Sequence, residues 1–334
     1  MNMGSSANQA PVALRVDDLV VSFKRPRASA VQAVAGVTLD LPRGSTLALI
    51  GESGSGKSTL ARAVCGLVPV TAGSVQVAGQ TMSRGSMAAR DAGAAGIQMV
   101  VQDSGGALDP RWPLWRIITE PYRLMQGKRT PELKQLALKL LADIGLPEEF
   151  ATRYPHQLSG GQRQRVNIAR ALAAEPNLIV LDEAVSALDL SVRNEILGLL
   201  ARLKQDRHLT YLFITHDMGA VVQIATDVAV LYLGRLAESG PVREVVQRPK
   251  HPYTRALVSA VPSIGKTRSE TVQARGEADD AGAPPPGCRF HRRCPFAIDV
   301  CRQVVPEMVR YEDRQVACHR VAEVDQILNQ GGIS

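Results

Sequence analysis

The sequence predicts an α/β fold, helices covering a largely parallel sheet, and three observations carry that reading. A short apolar run, Thr46–Ile50, ends directly at a glycine-rich segment, GESGSGKST, after which Thr59–Leu67 is helix-compatible. Further apolar runs at Leu178–Leu181, Tyr211–Thr215 and Val228–Leu233 are bounded by polar residues or glycine and alternate with helical segments. Unbroken apolar runs of this length suit strands buried on both faces. Ahead of them, Leu14–Phe23 alternates loosely and is rich in valine, and Val37–Leu41 follows a basic turn at Lys24–Arg27, as antiparallel strands would.

Size and composition bound the remaining organisation. At 334 residues the chain has room for one large or two modest domains, and its motifs favour one large domain with an appendage. Apolar residues make up 45%, as in a globular protein, yet the longest apolar runs fall far short of the ~18 residues needed to span a bilayer. The opening MNMGSSANQA has neither the basic start nor the apolar stretch of a secretory signal, so the expected location is the cytoplasm. The formal charge is +7, but 39 basic and 32 acidic residues are mixed along the chain, which describes a solvated surface rather than a nucleic-acid-binding face.

Between Glu132 and Ile144, the residues Leu133, Leu136, Ala137, Leu140, Leu141 and Ile144 recur at helical spacing, with Gly145 as the stop. Composition changes at Ser263–Gly287, which has few large apolar residues and ends in three prolines; it reads as a linker. Beyond it Cys288, Cys294, Cys301 and Cys318 follow a C-x5-C-x6-C-x16-C pattern. Cys65, isolated on the helix after the glycine-rich segment, reads as a core residue. The tail, in contrast, offers few apolar runs to bury four thiols and is expected to need a staple. Four thiolates suit zinc or a four-iron, four-sulfur cluster, and the spacing leaves the metal open. Disulfides are disfavoured in a reducing cytoplasm. His291 and His319 are possible substitute ligands in the zinc reading.

GESGSGKST has the GxxxxGK[ST] spacing of a phosphate-binding loop. Gly51, Gly54 and Gly56 let successive backbone N–H groups turn inward around an anion while the following helix presents its positive end. Ser53, Ser55, Thr59 and the loop amides are expected to hold phosphate oxygens, Lys57 to neutralise β- and γ-phosphate charge, and the Ser58 hydroxyl to coordinate Mg²⁺. Asp182, at a strand end, completes the Mg²⁺ shell in this reading. Its neighbour Glu183 hydrogen-bonds the attacking water without binding metal.

LSGGQRQR at Leu158–Arg165, followed by LIVLDEAVSALD at Leu178–Asp189, makes the chain resemble the ABC-type ATPases. The resemblance implies a RecA-like core, an antiparallel β subdomain and a helical subdomain at about 103–165, all within an ATPase domain at 14–250 after a flexible 1–13. It also implies that Ser159, Gly160, Gly161 and Gln162 of one subunit close over ATP held by its partner. Gln102 in MVVQD then links γ-phosphate and Mg²⁺ to the membrane subunits, His216 in FITHD contacts γ-phosphate, and Asp189 lies in the loop crossing the dimer interface. Phe23 is the nearest match to the aromatic that stacks on adenine, a core phenylalanine being the alternative. The chain departs from the pattern in lacking an aromatic before Gln102 and a proline after Asp103, and in carrying Ala184 where relatives often have proline.

HPYTRALVSAVP at His251–Pro262, then GCRFHRRCP, a third cysteine and VACH, resembles the C-terminal extension of oligopeptide and dipeptide importer ATPases. This implies an extension at 251–334, with the linker at 263–287 and a cysteine cluster at 288–320. It further implies a 4Fe-4S cluster on Cys288, Cys294, Cys301 and Cys318, zinc being the alternative, with Arg289, Arg292 and Arg293 offsetting cluster charge or facing solvent. The expected protein hydrolyses ATP to energise peptide import, peripheral to the cytoplasmic face of a bacterial inner membrane. Its expected partners are a second related ATPase, two permeases and, indirectly, an external binding protein, with no nucleic acid. Alternatives are a soluble ABC ATPase acting on nucleic acid or ribosomes, an importer subunit for a nickel chelate, and an iron-dependent sensor in the tail.

Overall fold

The computed structural model describes residues 11–25, 28–82, 96–102, 105–126, 130–260 and 282–329. Strands β1 (Val12–Arg25) and β2 (Ala28–Pro42) form a long antiparallel pair, and β4 (Ala72–Val77) joins the other edge of β1, followed by the short β5 (Gln80–Thr81). Both expected N-terminal strands are present and run further than the alternation alone implied. Pro26 and Arg27 of the intervening turn lie outside the described residues.

The second sheet has eight strands in the order β11-β12-β10-β9-β3-β8-β7-β6. Strands β3 (Thr46–Ile50), β7 (Leu178–Asp182), β8 (Tyr211–Ile214) and β9 (Asp227–Tyr232), with the edge strand β6 (Ile97–Val100), are parallel, as the apolar runs of the first four predict. Every residue of β3, β7 and β8 is buried because both faces are covered. Leu49, Val180, Leu212 and Ile214 pack toward Leu60 and Val64 of α1 (Lys57–Val64) and toward the first sheet. The alternate residues Ala48, Leu181 and Phe213 pack against Ile168 and Leu172 of α4 (Gly160–Leu172) and Leu200 of α5 (Leu190–Arg207). The period-two alternation of a strand thus divides one apolar run between two cores.

The helical layer beyond β6 contains α2 (Leu114–Gln126) and α3 (Thr130–Asp143). Helix α3 buries Leu133, Ala137, Leu140 and Leu141, the predicted stripe. Past β8 the chain passes through α6 (Met218–Ile224), the sheet strand β10 (Arg235–Pro241), α7 (Val242–Gln247) and α8 (Pro252–Ser259), and the buried residues of these helices share the core of α4 and α5. Most of the expected linker, residues 263–281, lies outside the described residues.

The tail corrects the expectation of an appendage short of apolar cover. Its β11 (Val309–Tyr311) and β12 (Arg314–Val316) complete the main sheet, with Glu238 of β10 opposite Val316. Phe290 joins the main core, and Cys288 and Cys294 pack against that core. Two short helices, α9 (Asp299–Gln303) and α10 (Val324–Asn329), finish the segment. Its cover comes from the main core and from a small cluster of its own, Phe296 and Val324, against which Cys294 also packs.

A buried ion network locks this seam. The Arg314 side chain is fully buried and donates to the backbone carbonyls of Glu244 (2.9 Å) and Arg248 (2.7 Å), with Glu238, Glu244 and Glu312 carboxylates at 3.5, 3.1 and 3.4 Å. A Cβ on Gly240 would lie 2.7 Å from Arg314 Cβ, so the glycine allows β12 to approach β10. Glu238 is itself wholly buried and accepts the N–H groups of Lys250 (3.0 Å) and His251 (2.9 Å). Arg314→Ala leaves that carboxylate without its guanidinium and should cost about 3–5 kcal/mol in urea denaturation. The double variant Glu238→Gln/Arg314→Met should recover much of that loss.

Candidate active site

The glycine-rich segment is a tight turn between β3 and α1, and its backbone geometry explains its composition. Gly51 and Gly56 have φ of +151° and +105°, and a Cβ would lie 2.1 Å from Leu231 O at the first and 2.2 Å from Ala33 O at the second. Only glycine fits both the conformation and the space. The turn curls around Lys57, which is 6% exposed and donates from Nζ to the carbonyls of Gly51 and Glu52, both at 2.8 Å. Burial pulls this ammonium below its usual lysine range, opposed by the charges of Glu183, Asp182 and Glu52.

Strand β7 delivers the acidic residues to the same place. Asp182, 7% exposed, accepts a hydrogen bond from Ser58 Oγ at 3.1 Å. Burial raises its pKa, opposed by the Ser58 bond and by Arg62. A desolvated carboxylate beside a hydroxyl is an oxygen donor pair suited to a hard divalent cation. Glu183 follows with φ +50°, a strained conformation for a residue with a side chain, and its N–H donates to Ile214 O at 3.0 Å. The turn leaves Glu183 Oε1 3.6 Å from Nδ1 of His216, which lies just past β8 and is 64% exposed on its side chain.

Lys57, Ser58, Asp182, Glu183 and His216 therefore converge where β3, β8 and β7 end side by side. Gly51, Ser53, Gly54, Ser55, Gly56 and Thr59 accompany them on the loop and the start of α1. Gln102 lies just beyond β6 and is exposed; Asp103 is outside the described residues. Phe23 is 43% exposed on β1, which removes the core alternative for that ring.

Ser159 opens helix α4. Its Oγ accepts from Gln162 N at 3.3 Å, and Gln162 Oε1 accepts from Ser159 N at 3.0 Å, a reciprocal cap. The nearest atoms to a Cβ on Gly160 or Gly161 belong to Leu188 and Val192. Asp189 caps α5, accepting from Val192 N at 3.0 Å, and this bond chiefly lowers its pKa. Arg193 of α5 pairs with Asp217, which caps α6 by accepting from Gly219 N at 2.8 Å. That tie between the loops holding Asp189 and His216 escaped sequence reasoning, although the HD dipeptide was visible.

Chemistry in the tail is less complete than expected. Cys288, Cys294, Cys301 and Cys318 line one small pocket together with His291 and His319, and all four are free thiols. Among the described residues, however, no group of three or more His, Cys, Asp or Glu side chains is arranged to hold a metal ion, so the expected metal centre is not established. Burial pushes Cys294 up to about 12 and both Cys288 and Cys318 up to about 11. His291 Nδ1 and His319 Nε2 are engaged with the carbonyls of Cys288 (2.8 Å) and Val304 (2.9 Å). Cys65 is buried and raised to about 12 by burial, as a core thiol should be.

Comparison with known proteins agrees with this architecture. Residues 34–186 match the ABC transporter family and residues 237–301 the C-terminal region of oligopeptide/dipeptide transporters. The chain is 41% identical over 294 residues to the di/tripeptide transport ATP-binding protein DppF of Pseudomonas aeruginosa (strain UCBPP-PA14), covering 88% of this chain and 91% of that protein. It is 42% identical to the oligopeptide transport ATP-binding protein AppF of Bacillus subtilis (strain 168), covering 86% and 89%. Among solved structures, the dimeric ATP-binding cassette MJ0796 in a post-hydrolysis state bound to ADP and Pi is similar with TM-score 0.61 and 27% identity, over 69% of this chain and 99% of that one. The chain belongs to the ABC transporter ATP-binding proteins of the oligopeptide/dipeptide type, and it is an ATPase.

Gly56→Ala would drive a methyl group into Ala33 O and open the phosphate loop. ATP binding should fall at least about tenfold, measured by equilibrium titration with a fluorescent ATP analogue. Gly44→Ala, which also has positive φ but no neighbour within 4 Å of its Cβ, should leave binding unchanged.

Proposed function

We propose that the chain is the ATP-hydrolysing subunit of a bacterial peptide importer, working as a pair of ATPases under two membrane permeases. The observation that carries the reading is the convergence of Lys57, Ser58, Asp182, Glu183 and His216 where β3, β8 and β7 end, in a chain whose tail matches the oligopeptide/dipeptide transporter region. In this role the loop amides and Lys57 hold the ATP phosphates. Ser58 and Asp182 hold Mg²⁺, which supplies charge neutralisation at the β- and γ-phosphates. Glu183 orients the attacking water, with His216 beside it on the γ-phosphate side and Gln102 linking that phosphate to the permease-facing surface.

Ser159, Gly160, Gly161 and Gln162 complete the partner's site and Asp189 crosses the interface, so closure requires two subunits. A second related ATPase is the favoured partner, and in this reading Phe23, whose ring is exposed, stacks on adenine. Among the described residues no helix is long and apolar enough to cross a membrane, which accords with a peripheral subunit at the cytoplasmic face receiving substrate from permeases and an external binding protein. The basic charge balance gives no comparable support to a nucleic-acid or ribosome role.

For the tail we infer that Cys288, Cys294, Cys301 and Cys318 hold a 4Fe-4S cluster. Support comes from four free thiols on one pocket. Zinc on the same four thiolates is the alternative.

Glu183→Gln should retain ATP binding while hydrolysis falls roughly 10²- to 10³-fold, measured by phosphate release. Cells carrying this variant as their sole copy should lose uptake of labelled dialanine; unchanged dipeptide uptake with lost nickel uptake would support the chelate alternative instead. Anaerobically purified protein should contain about four irons and four acid-labile sulfides per chain, absent from Cys288→Ser/Cys294→Ser. Stoichiometric zinc without sulfide would overturn the cluster.

A further inference from the structure

The phosphate loop is gripped from the far end of the chain. Glu52 occupies a position that the loop's glycine and lysine spacing leaves free. Its N–H donates to the Tyr253 hydroxyl at 2.8 Å, its carbonyl accepts from Lys57 Nζ at 2.8 Å, and its carboxylate accepts from Arg293 Nη1 at 2.7 Å. All three polar groups of this one loop residue are engaged. Tyr253 comes from the HPYTRAL helix, and Arg293 from the segment carrying Cys288 and Cys294.

The guanidinium has little freedom to follow Glu52 elsewhere. Arg293 is 9% exposed, lies 5.9 Å from the ring centre of Tyr232 and 5.8 Å from that of Phe290, and also donates to the Tyr232 hydroxyl at 3.4 Å. These two rings and Tyr253 form a packed trio, with centroids 4.5, 5.3 and 5.4 Å apart. The cation is therefore held by aromatic faces on the core side of the extension, and the carboxylate is drawn toward it. A carboxylate in a phosphate loop repels the incoming triphosphate unless a cation neutralises and fixes it.

We propose that Arg293 is a positioning residue for nucleotide binding, holding Glu52 so that the phosphate loop accepts ATP and making that affinity depend on the fold of the C-terminal extension. Since Arg293 immediately precedes Cys294, any rearrangement of the cysteine segment reaches the loop through this contact. The inference rests on the phosphate-loop assignment above, so Lys57→Ala serves as the control. If that variant still binds ATP, the loop assignment fails; if it does not, the Arg293 variants test the clamp alone.

The full chain would be titrated with a fluorescent ATP analogue and Mg²⁺, and ATP hydrolysis followed for kcat and KM. Arg293→Gln should raise Kd and KM roughly five- to tenfold with kcat changed less than about twofold. Arg293→Lys should restore most of the affinity. The double variant Glu52→Gln/Arg293→Gln should bind within about twofold of wild type, because the unpaired carboxylate is gone. Should Arg293→Gln melt well below wild type, Arg293→Met, which keeps contact with the rings, carries the same expectation. Kd unchanged in the charge-removing variant, or a double variant binding as weakly as the single one, overturns the proposal.

Discussion

A buried ammonium held by backbone carbonyls organises this molecule. Lys57 sits almost out of solvent at the mouth of β3, bonded to the carbonyls of Gly51 and Glu52 and near the carboxylates of Asp182 and Glu183. A cation in that position costs desolvation, and dipoles and nearby negative charge offset only part of it. An anion entering the loop completes the compensation. The loop can hold this geometry because β3 is covered on both faces and because two glycines bring its backbone against Leu231 and Ala33.

The same constraint explains why the end of the chain matters to its beginning. The tail adds two strands to the main sheet, shares its core, and reaches the phosphate loop through Tyr253 and Arg293. Its seam is fixed by Arg314, whose charge is distributed among carbonyls and carboxylates, with Glu238 buried beside it. Such a network contributes little net stability compared with an apolar seam, but it admits few alternative registers. The extension is mechanically continuous with the nucleotide site.

Around the loop, strained and capped positions set direction. Glu183 accepts an unfavourable backbone conformation that brings its carboxylate toward His216. Asp189 and Asp217 each cap a helix, and Arg193 joins the second cap to the first helix. Ser159 and Gln162 cap α4 reciprocally. Side chains that the family resemblance assigns to nucleotide or interface contacts thus already have local structural duties in the single chain.

The sequence by itself determined the parallel core, the N-terminal strands, helix α3 and the residues of the phosphate loop, because each is written in local periodicity or in a fixed spacing of glycine, lysine and hydroxyl. Asp182 and Glu183 were legible as the end of an apolar run. Glu52, Tyr253, Arg293, Glu238 and Arg314 were not: their roles exist only between segments that lie far apart in the chain, and no local pattern marks a carboxylate whose partner is 241 residues away. The sequence likewise suggested a tail without cover for its cysteines. Tertiary structure decided otherwise, since Cys288 and Cys294 pack against the ATPase core and Cys294 also against Phe296 and Val324, contacts between segments that no local pattern announces.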